Sequence, residues 1–188
     1  MGKTVKIPAV LLALLIVSIN GHAKVSSYPQ EEQGWSENGE PIPDSDNIKS
    51  RNGFGAQLWV INDEKFFEDW TKPETPHLPI TKRAHRNKVV FVIILFINPG
   101  VDEDVQADVV MDVKITGPDG SIYGDFKDVE VWQGSDKVPA NHIQLAAGHL
   151  GLKIEDTDQL GQYTIEAVVK DRIKNVSLPL RTELIAEE

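Results

Sequence analysis

Along much of the chain, apolar residues stand at every second position between short stretches rich in glycine, proline and asparagine. Residues 107–116 carry apolar side chains at every odd position and mostly polar ones between them, which predicts a strand with one solvated face. Residues 163–169 repeat this pattern. Further predicted strands cover 54–61, 121–123, 129–132, 143–145, 150–154 and 176–184. So many short strands with almost no helix predict an all-β sandwich or barrel.

One stretch, residues 89–97, is apolar at every position and ends at Asn98-Pro99-Gly100. Its β-branched and aromatic residues favour a strand over a helix, and the lack of alternation predicts a central strand that is buried on both faces. The stretch is too short to cross a bilayer, because a transmembrane helix needs about 20 apolar residues.

Residues 63–70 have a different spacing. Phe66, Phe67 and Trp70 lie at positions i, i+1 and i+4, which predicts one helical turn packed on the body of the domain, with Asp63 as its cap. An extended, bulged strand is the alternative. The three prolines of residues 71–80 then predict an irregular connection.

Two short motifs narrow the fold class. Gly117-Pro118-Asp119-Gly120 is a strong turn signal, because proline presets φ and glycine accepts a positive φ. Residues 158–165, which read Asp-Gln-Leu-Gly-Gln-Tyr-Thr-Ile, resemble the tyrosine corner of immunoglobulin-like sandwiches, in which the tyrosine hydroxyl bonds back to nearby backbone. Ile165 stands where antibody domains have their second cysteine.

The wider layout of residues 88–185 is similar to macroglobulin-type and bacterial surface immunoglobulin-like modules. This resemblance implies an all-β, immunoglobulin-like antiparallel β-sandwich of about seven strands. The polar composition of the N-terminal segment separately predicts a disordered tail. It implies no activity, because such modules serve many roles. The thioester and bait region of macroglobulin protease trapping are not expected in a single such domain.

The N-terminus predicts export. Lys3 and Lys6 precede an apolar run over residues 7–19, and Gly21-His22-Ala23 places small residues where a signal peptidase requires them. We therefore expect a signal peptide at residues 1–23, cleaved after Ala23. An uncleaved membrane anchor is the alternative, although the run is short for one.

The mature chain is expected to hold an acidic flexible linker at residues 24–52 and a β-sandwich domain at residues 53–188. The linker prediction rests on a polar, acidic composition with proline and glycine and no apolar periodicity. Trp35 is its one large apolar residue.

Composition restricts the partners. The chain has a formal net charge of −10 and no cysteine. The acidic balance disfavours nucleic acid as a partner, and we expect no membrane span in the mature protein. The lack of cysteine excludes thiol catalysis and cysteine-ligated metals, and together with the signal it favours a bacterial periplasm, or secretion, as the destination.

Residues that could carry chemistry are few. His77, His85, His142 and His149 lack the spacing of a helical zinc site. The acidic loop (Asp102, Glu103, Asp104 and Asp108) offers oxygen ligands for calcium but departs from the EF-hand pattern. No G-x-S-x-G elbow or phosphate-binding glycine loop is present. We therefore expect no catalytic residues, no metal and no cofactor.

The aromatic residues Trp59, Phe66, Phe67 and Trp70 form the candidate partner-binding site. They either complete the core or present an apolar patch, in which tryptophan is a favoured contact.

The leading hypothesis is an exported, non-enzymatic binding or accessory module of the bacterial envelope, with a protein, peptide or glycan partner. The alternative is a secreted metal-dependent protein or enzyme that uses His85, His142, His149 and the acidic loop. A subunit that polymerises by strand exchange is disfavoured, because the N-terminal segment lacks the alternating apolar residues of a donor strand.

The cleavage site gives a first prediction. When the full chain is expressed in a Gram-negative host, the periplasmic product should begin at Lys24, because the small residues Gly21 and Ala23 fit the peptidase. Ala23→Arg should block processing and leave the precursor in the membrane fraction. Intact-mass measurement of both fractions checks this, and an unprocessed wild-type chain would contradict it.

Overall fold

A computed structural model describes residues 34–104, 106–134, 138 and 141–188. Within this part the chain forms an all-β sandwich of two sheets, a separate two-stranded hairpin and one short helix. No helix among the described residues is long and apolar enough to cross a membrane. The elements are β1 Ser36–Glu37, β2 Glu40–Pro41, β3 Ile48–Arg51, β4 Phe54–Ile61, α1 Lys65–Asp69, β5 Arg83–His85, β6 Val89–Ile97, β7 Ala107–Thr116, β8 Ile122–Gly134, β9 Gln144–Leu145, β10 Leu150–Lys153, β11 Gly161–Asp171 and β12 Val176–Glu187.

The first sheet has the order β10-β6-β4-β3, with β9 also paired to β6, and the second has the order β5-β12-β11-β7-β8. Neighbouring strands are antiparallel except for β5, which runs parallel to the end of β12. The order β4-β6-β10 opposite β7-β11-β12 is that of an immunoglobulin-like sandwich. The predicted fold class is therefore confirmed. The strand count exceeds the expected seven, because short polar segments also pair at the sheet edges.

The core follows from the alternation seen in the sequence. Each strand turns every second side chain inward, so the two inner faces meet in one apolar layer. The layer closes without any disulfide, since the chain has no cysteine, and burial of each large side chain contributes about 1.5–3 kcal/mol. Its fully buried side chains include Phe54, Leu58, Ile94, Phe96, Met111, Ile154, Tyr163, Ile165, Leu178 and Leu184.

The predicted strand over residues 89–97 is β6, with the same bounds. Its inner face joins the core. Its outer face is covered from Ile93 onward, whereas Val89 at the start of the strand is 44% exposed. The sequence predicts two strands at residues 121–123 and 129–132, but residues 122–123 and 129–132 lie in the single long strand β8, which begins at Ile122. Bulges in its pairing with β7 interrupt the alternation, and Asp128 has a φ of 48° there. Such irregularities hide a continuous strand from a pattern with a strict period of two.

The tyrosine corner predicted from residues 158–165 is present. Tyr163 is 1% exposed, and its hydroxyl donates a hydrogen bond of 2.9 Å to the backbone carbonyl of Gln159, four residues upstream. Tyr123 packs edge-on against the Tyr163 ring at 5.2 Å. The corner therefore fixes the start of β11 to the loop that precedes it.

The N-terminal part of the domain differs from the prediction. Residues 34–52, expected to belong to the flexible linker, contain β1, β2 and β3, and Trp35 is only 5% exposed. The indole nitrogen of Trp35 donates to the carbonyl of Lys49 at 3.2 Å, and Gly55 leaves room for the ring. One buried tryptophan thus anchors a segment whose composition is otherwise polar. Residues 1–33, which carry the predicted signal peptide and the start of the linker, lie outside the described residues.

One carboxylate is completely buried. Asp171, at the end of β11, is 0% exposed. It accepts backbone hydrogen bonds from Gly100 at 2.6 Å, Ile173 at 3.0 Å and Lys174 at 2.8 Å. Three amide donors compensate the cost of burying this polar group. Asp171 therefore holds the turn between β11 and β12 against the loop that follows β6.

The corner gives a stability prediction. Tyr163→Phe removes the hydroxyl but keeps the ring, so the free energy of unfolding should fall by about 1 kcal/mol. Urea unfolding followed by circular dichroism measures the change. As a control, Ser177→Ala on the exposed side of β12 should change the value by less than about 0.5 kcal/mol. Equal stability of Tyr163→Phe and the wild type would contradict the role assigned to the corner.

Candidate functional site

The four aromatic residues predicted as a binding site lie together on the outer face of the first sheet. Trp59 projects from β4, while Phe66, Phe67 and Trp70 come from α1 and the residue after it. We call these four residues the outer aromatic cluster. They pack with two fully buried side chains of the sheet, Ile61 and Ile93. The structure therefore brings the candidates into one group, separate from the main core.

Burial divides the cluster into an anchor and a surface. Phe66 is 2% exposed and faces the sheet, whereas Trp59, Phe67 and Trp70 are partly buried. Phe66 lies 5.9 Å from Phe67 and 5.5 Å from Trp70, measured between ring centroids. The cluster is thus neither a closed core nor a free patch. Its anchor fixes three aromatic rings at the surface.

The sequence fixes this helix locally. The carboxylate of Asp63 accepts a hydrogen bond of 2.9 Å from the Lys65 amide, which satisfies one free donor of the first turn. The N-cap position itself is Glu64, one residue after the predicted cap, and its side chain makes no capping hydrogen bond. Lys72 makes ion pairs with Glu68 and Asp69 at 3.1 and 2.7 Å after the last turn. These pairs are exposed and contribute little individually, so Phe66 remains the main attachment of the helix.

His149 joins the edge of the cluster. Its ring stacks on Phe67 at a centroid distance of 4.3 Å and an interplanar angle of 24°. Phe91 of β6 lies edge-on to both rings. The contact adds a polar ring to an apolar surface, which is a mixture typical of recognition sites.

A cavity of about 400 Å³ opens beside Trp59, at the seam where the edges of the two sheets meet. Trp59 and Val60 line one side, and residues 181–183 of β12 line the other. Residues 45–47 and 80–82 close its two ends. We call this space the seam cavity. Its volume lies within the range of small-molecule and side-chain binding sites.

The rim of the seam cavity is held by hydrogen bonds. The Asn47 side chain donates to the Leu58 carbonyl at 3.4 Å, and the Leu58 amide donates to the Asn47 carbonyl at 2.9 Å. The Thr81 amide donates to the Val60 carbonyl at 2.9 Å. Trp59 itself donates from its indole nitrogen to Gln57 at 2.8 Å. The cavity is therefore built into the sheet framework.

Sequence reasoning found Trp59 but missed the rest of the seam cavity. Asp46 lies in the segment predicted as linker, Lys82 between the predicted irregular connection and the apolar stretch at residues 89–97, and Arg181 in the last predicted strand. These residues are far apart in the chain and share no motif. Only the meeting of two sheet edges brings them together.

The described residues of the metal hypothesis do not lie together at one site. Among the described residues, no three histidine, aspartate or glutamate side chains are placed to hold one ion. His149 stacks on Phe67, whereas His85 lies beside Glu187 at the end of β12, at 3.6 Å. His142 is exposed in the segment before β9.

A side chain of the acidic loop hydrogen-bonds to backbone amides of the same loop. A carboxylate oxygen of Asp102 accepts hydrogen bonds from the amides of Asp104 and Gln106 at 3.0 and 2.9 Å. Asp108 instead faces Arg172 at 3.5 Å. The Asp102 hydrogen bonds stabilise the loop as a turn.

A charged network covers the outer face of the second sheet. Lys170 on β11 lies 2.8 Å from Asp112 on β7 and 3.5 Å from Asp128 on β8, and Arg172 lies 2.9 Å from Asp128. The hydrogen bond from Lys170, followed by that from the Asp128 amide, lowers the pKa of Asp112. Asp112 in turn raises the pKa of Lys170. The network ties the bulged strand β8 to its neighbours.

Comparison with known proteins gives no family. No protein-family model matches the chain, and no curated protein matches it in sequence. Among solved structures, it is similar to a family 123 glycoside hydrolase from Clostridium perfringens, studied for glycolipid glycan hydrolysis, with a TM-score of 0.43 at 10% identity. That likeness covers 72% of this chain but 27% of the hydrolase, so the chain spans only a minor part of that enzyme's length.

Two smaller structures are also similar. One is the CARDB domain of a Pyrococcus furiosus protein, in complex with di-metal ions, with a TM-score of 0.38, 11% identity and coverage of 77% of this chain and 97% of that one. The other is a Niemann-Pick type C2 protein from the Japanese carpenter ant, with a TM-score of 0.38, 9% identity and coverage of 75% and 92%. These likenesses assign no activity to the chain.

The Asp112–Lys170 pair predicts a pH dependence. Because the folded-state pKa of Asp112 is lowered, the pair stabilises the fold above the unfolded aspartate pKa of about 3.9. That contribution disappears as the pH falls through the lower folded-state value. Asp112→Asn should therefore reduce stability by less than about 1 kcal/mol at neutral pH, and the difference from wild type should shrink in acid. Chemical unfolding across the pH range measures it, and a pH-independent difference would exclude the pair as its source.

Proposed function

We propose that this chain is an exported, non-enzymatic binding or accessory module of the bacterial cell envelope. It recognises a protein, peptide or glycan partner at the surface around Trp59. The observation that carries the proposal is the position of Trp59, which belongs to the outer aromatic cluster and also lines the seam cavity. A tryptophan shared by an apolar surface and a concave space fits the role of a binding hot spot.

The surroundings of Trp59 support this role. Phe67 and Trp70 belong to the same cluster as Trp59, and His149 stacks on Phe67. Aromatic side chains contribute a large contact area at a low cost in conformational entropy. The cavity adds hydroxyl, amide and charged groups from its two ends. Apolar contact supplies affinity and the polar groups supply orientation, which is the usual division in a recognition site.

The sequence supports the location and the class. The signal-peptide pattern of residues 1–23 favours export, and the absence of cysteine favours a bacterial envelope over a eukaryotic secretory route. The immunoglobulin-like sandwich is a rigid scaffold for sites of this kind, although the fold itself does not specify a partner.

The test is a ligand search with matched variants. The purified mature chain is screened against a displayed-peptide library and a glycan array, and each selected ligand is measured by calorimetry. Trp59→Ala should weaken binding by about 30-fold, which corresponds to a hot-spot loss of about 2 kcal/mol. Trp59→Phe, which keeps an aromatic ring, should show a smaller loss.

Ile122→Ser is the control, because Ile122 is 62% exposed on β8 of the other sheet. It should leave binding unchanged. Near-ultraviolet circular dichroism checks that each variant is folded. The proposal fails if neither library yields a ligand, or if the ligands bind wild type and Trp59→Ala equally.

A further inference from the structure

The seam cavity exists because two chain segments leave the edge of β12 at different points. The Arg181 amide donates to the Asp46 carbonyl at 2.7 Å, and the Ile185 amide donates to the Lys82 carbonyl at 2.8 Å. Upstream of Lys82, the chain moves away to the first sheet, where Thr81 bonds to Val60 and Ile80 pairs with Ile61. The edge of β12 between Arg181 and Ile185 therefore faces the cavity.

The register of β12 shows which backbone groups point into this gap. In an antiparallel pair, alternate residues direct both N–H and C=O away from the partner strand. Arg181 and Ile185 direct their amides away from β11, and both lie in the same unbroken register with it. Glu183 lies midway between them, so its N–H and C=O also point away from β11, toward the seam cavity.

Pro179 follows the same rule. It has no N–H, and it occupies the next position of this parity on β12. Proline is tolerated at an edge position where the missing donor faces away from the neighbouring strand. The outward direction of the Glu183 N–H and C=O groups is therefore consistent with the position of proline in the same strand.

The gap accommodates a short extended segment. Four residue steps separate Arg181 from Ile185, or about 13 Å at about 3.3 Å per residue of strand. A strand added at Glu183 would turn alternate side chains toward the interior of the cavity, where Trp59 and Val60 supply an apolar wall. Main-chain hydrogen bonds with pockets for alternate side chains are the features of strand addition.

The two ends of the cavity carry opposite charges. Asp46 stands at one end and Lys82 at the other, and both are exposed. Within the part of the chain that the structure describes, neither side chain has an ion pair or hydrogen bond. By contrast, Arg181 and Glu183 pair with each other at 3.1 Å. The unpaired charges favour a segment with a basic side chain at the Asp46 end and an acidic one at the Lys82 end.

We propose that the seam cavity binds an extended peptide segment, which adds to the edge of β12 through the main chain of Glu183. One side chain of the peptide packs against Trp59, a basic side chain faces Asp46 and an acidic side chain faces Lys82. The inference rests on the proposed binding function and narrows it to one ligand class, a charged, strand-forming peptide. A glycan would use the cavity walls but would not need the strand register.

The probes are two blocked pentapeptides, acetyl-Lys-Thr-Leu-Thr-Glu-amide and the reversed acetyl-Glu-Thr-Leu-Thr-Lys-amide. Their first, third and fifth side chains share one face of a strand, and these positions span the gap. Titration is followed by two-dimensional NMR of the mature chain. The order that places its basic side chain at Asp46 and its acidic side chain at Lys82 should bind about tenfold more tightly than the other order, a difference of about 1.4 kcal/mol. Binding should also slow hydrogen exchange at the Glu183 amide.

Two further changes test the strand register. A peptide with N-methylleucine at its centre cannot pair through that amide and should lose binding. Glu183→Pro removes the protein's donor at an edge position of the same parity as Pro179, so it should fold but bind at least about tenfold more weakly. Ser177→Pro is the matched control, because it removes a β12 amide at the same alternation as Pro179 but away from the cavity, and its affinity should be close to that of wild type.

The double variant Asp46→Lys with Lys82→Glu tests the charge assignment, because it should invert the preference between the two peptide orders. The inference is overturned if neither peptide shifts resonances around β12 at millimolar concentration. It is also overturned if the N-methylated peptide or Glu183→Pro binds normally, or if the charge swap leaves the preference unchanged. The broader function has a separate outcome, since a ligand from the glycan array that requires Trp59 would support it without strand addition.

Discussion

The arrangement of the molecule depends on the burial of β6 on both faces. Its inner side chains join the sandwich core, and its outer side chains, Ile93 among them, support the cluster under α1. A strand apolar on one face only would leave the helix no surface to pack on. β6 also pairs with β4, β9 and β10. The position of Trp59 on β4 is therefore set by the same strand that anchors the core.

A second constraint is that the chain changes sheets between β4 and β5. Residues 80 and 81, shortly before β5, bond to the first sheet, and β5 then runs beside the end of β12 in the second. Because one segment cannot hydrogen-bond to both sheets at once, part of the β12 edge stays unpaired. Free strand edges are usually covered or blunted. Here Pro179 blunts one position and residues 45–47 cover another, and the remaining gap is the seam cavity.

These two features give the candidate site its character. The outer aromatic cluster supplies apolar surface, the cavity supplies shape, and the open edge supplies main-chain donors and acceptors. Rigidity comes from the sandwich, whose turns are held by groups such as Asp171 and the Tyr163 corner. A site preorganised in this way loses little conformational entropy on binding. The charged network on the outer face of the second sheet links β7, β8 and β11 and does not line the seam cavity.

By itself, the sequence determined the fold class, the main strands, the helical turn and the tyrosine corner. These follow from local periodicity and turn chemistry, which act over a few residues. It also identified the four aromatic residues. It did not determine that residues 34–52 pair with the domain, because one buried tryptophan gives no periodic signal.

Only the tertiary structure determined which residues form the seam cavity. Its parts come from residues 45–47, 59–60, 80–82 and 181–183, and no spacing in the chain links them. Their meeting depends on where two sheet edges lie in space and on which amides of β12 are left outward. Strand register sets both, and register is a property of paired strands rather than of any single one.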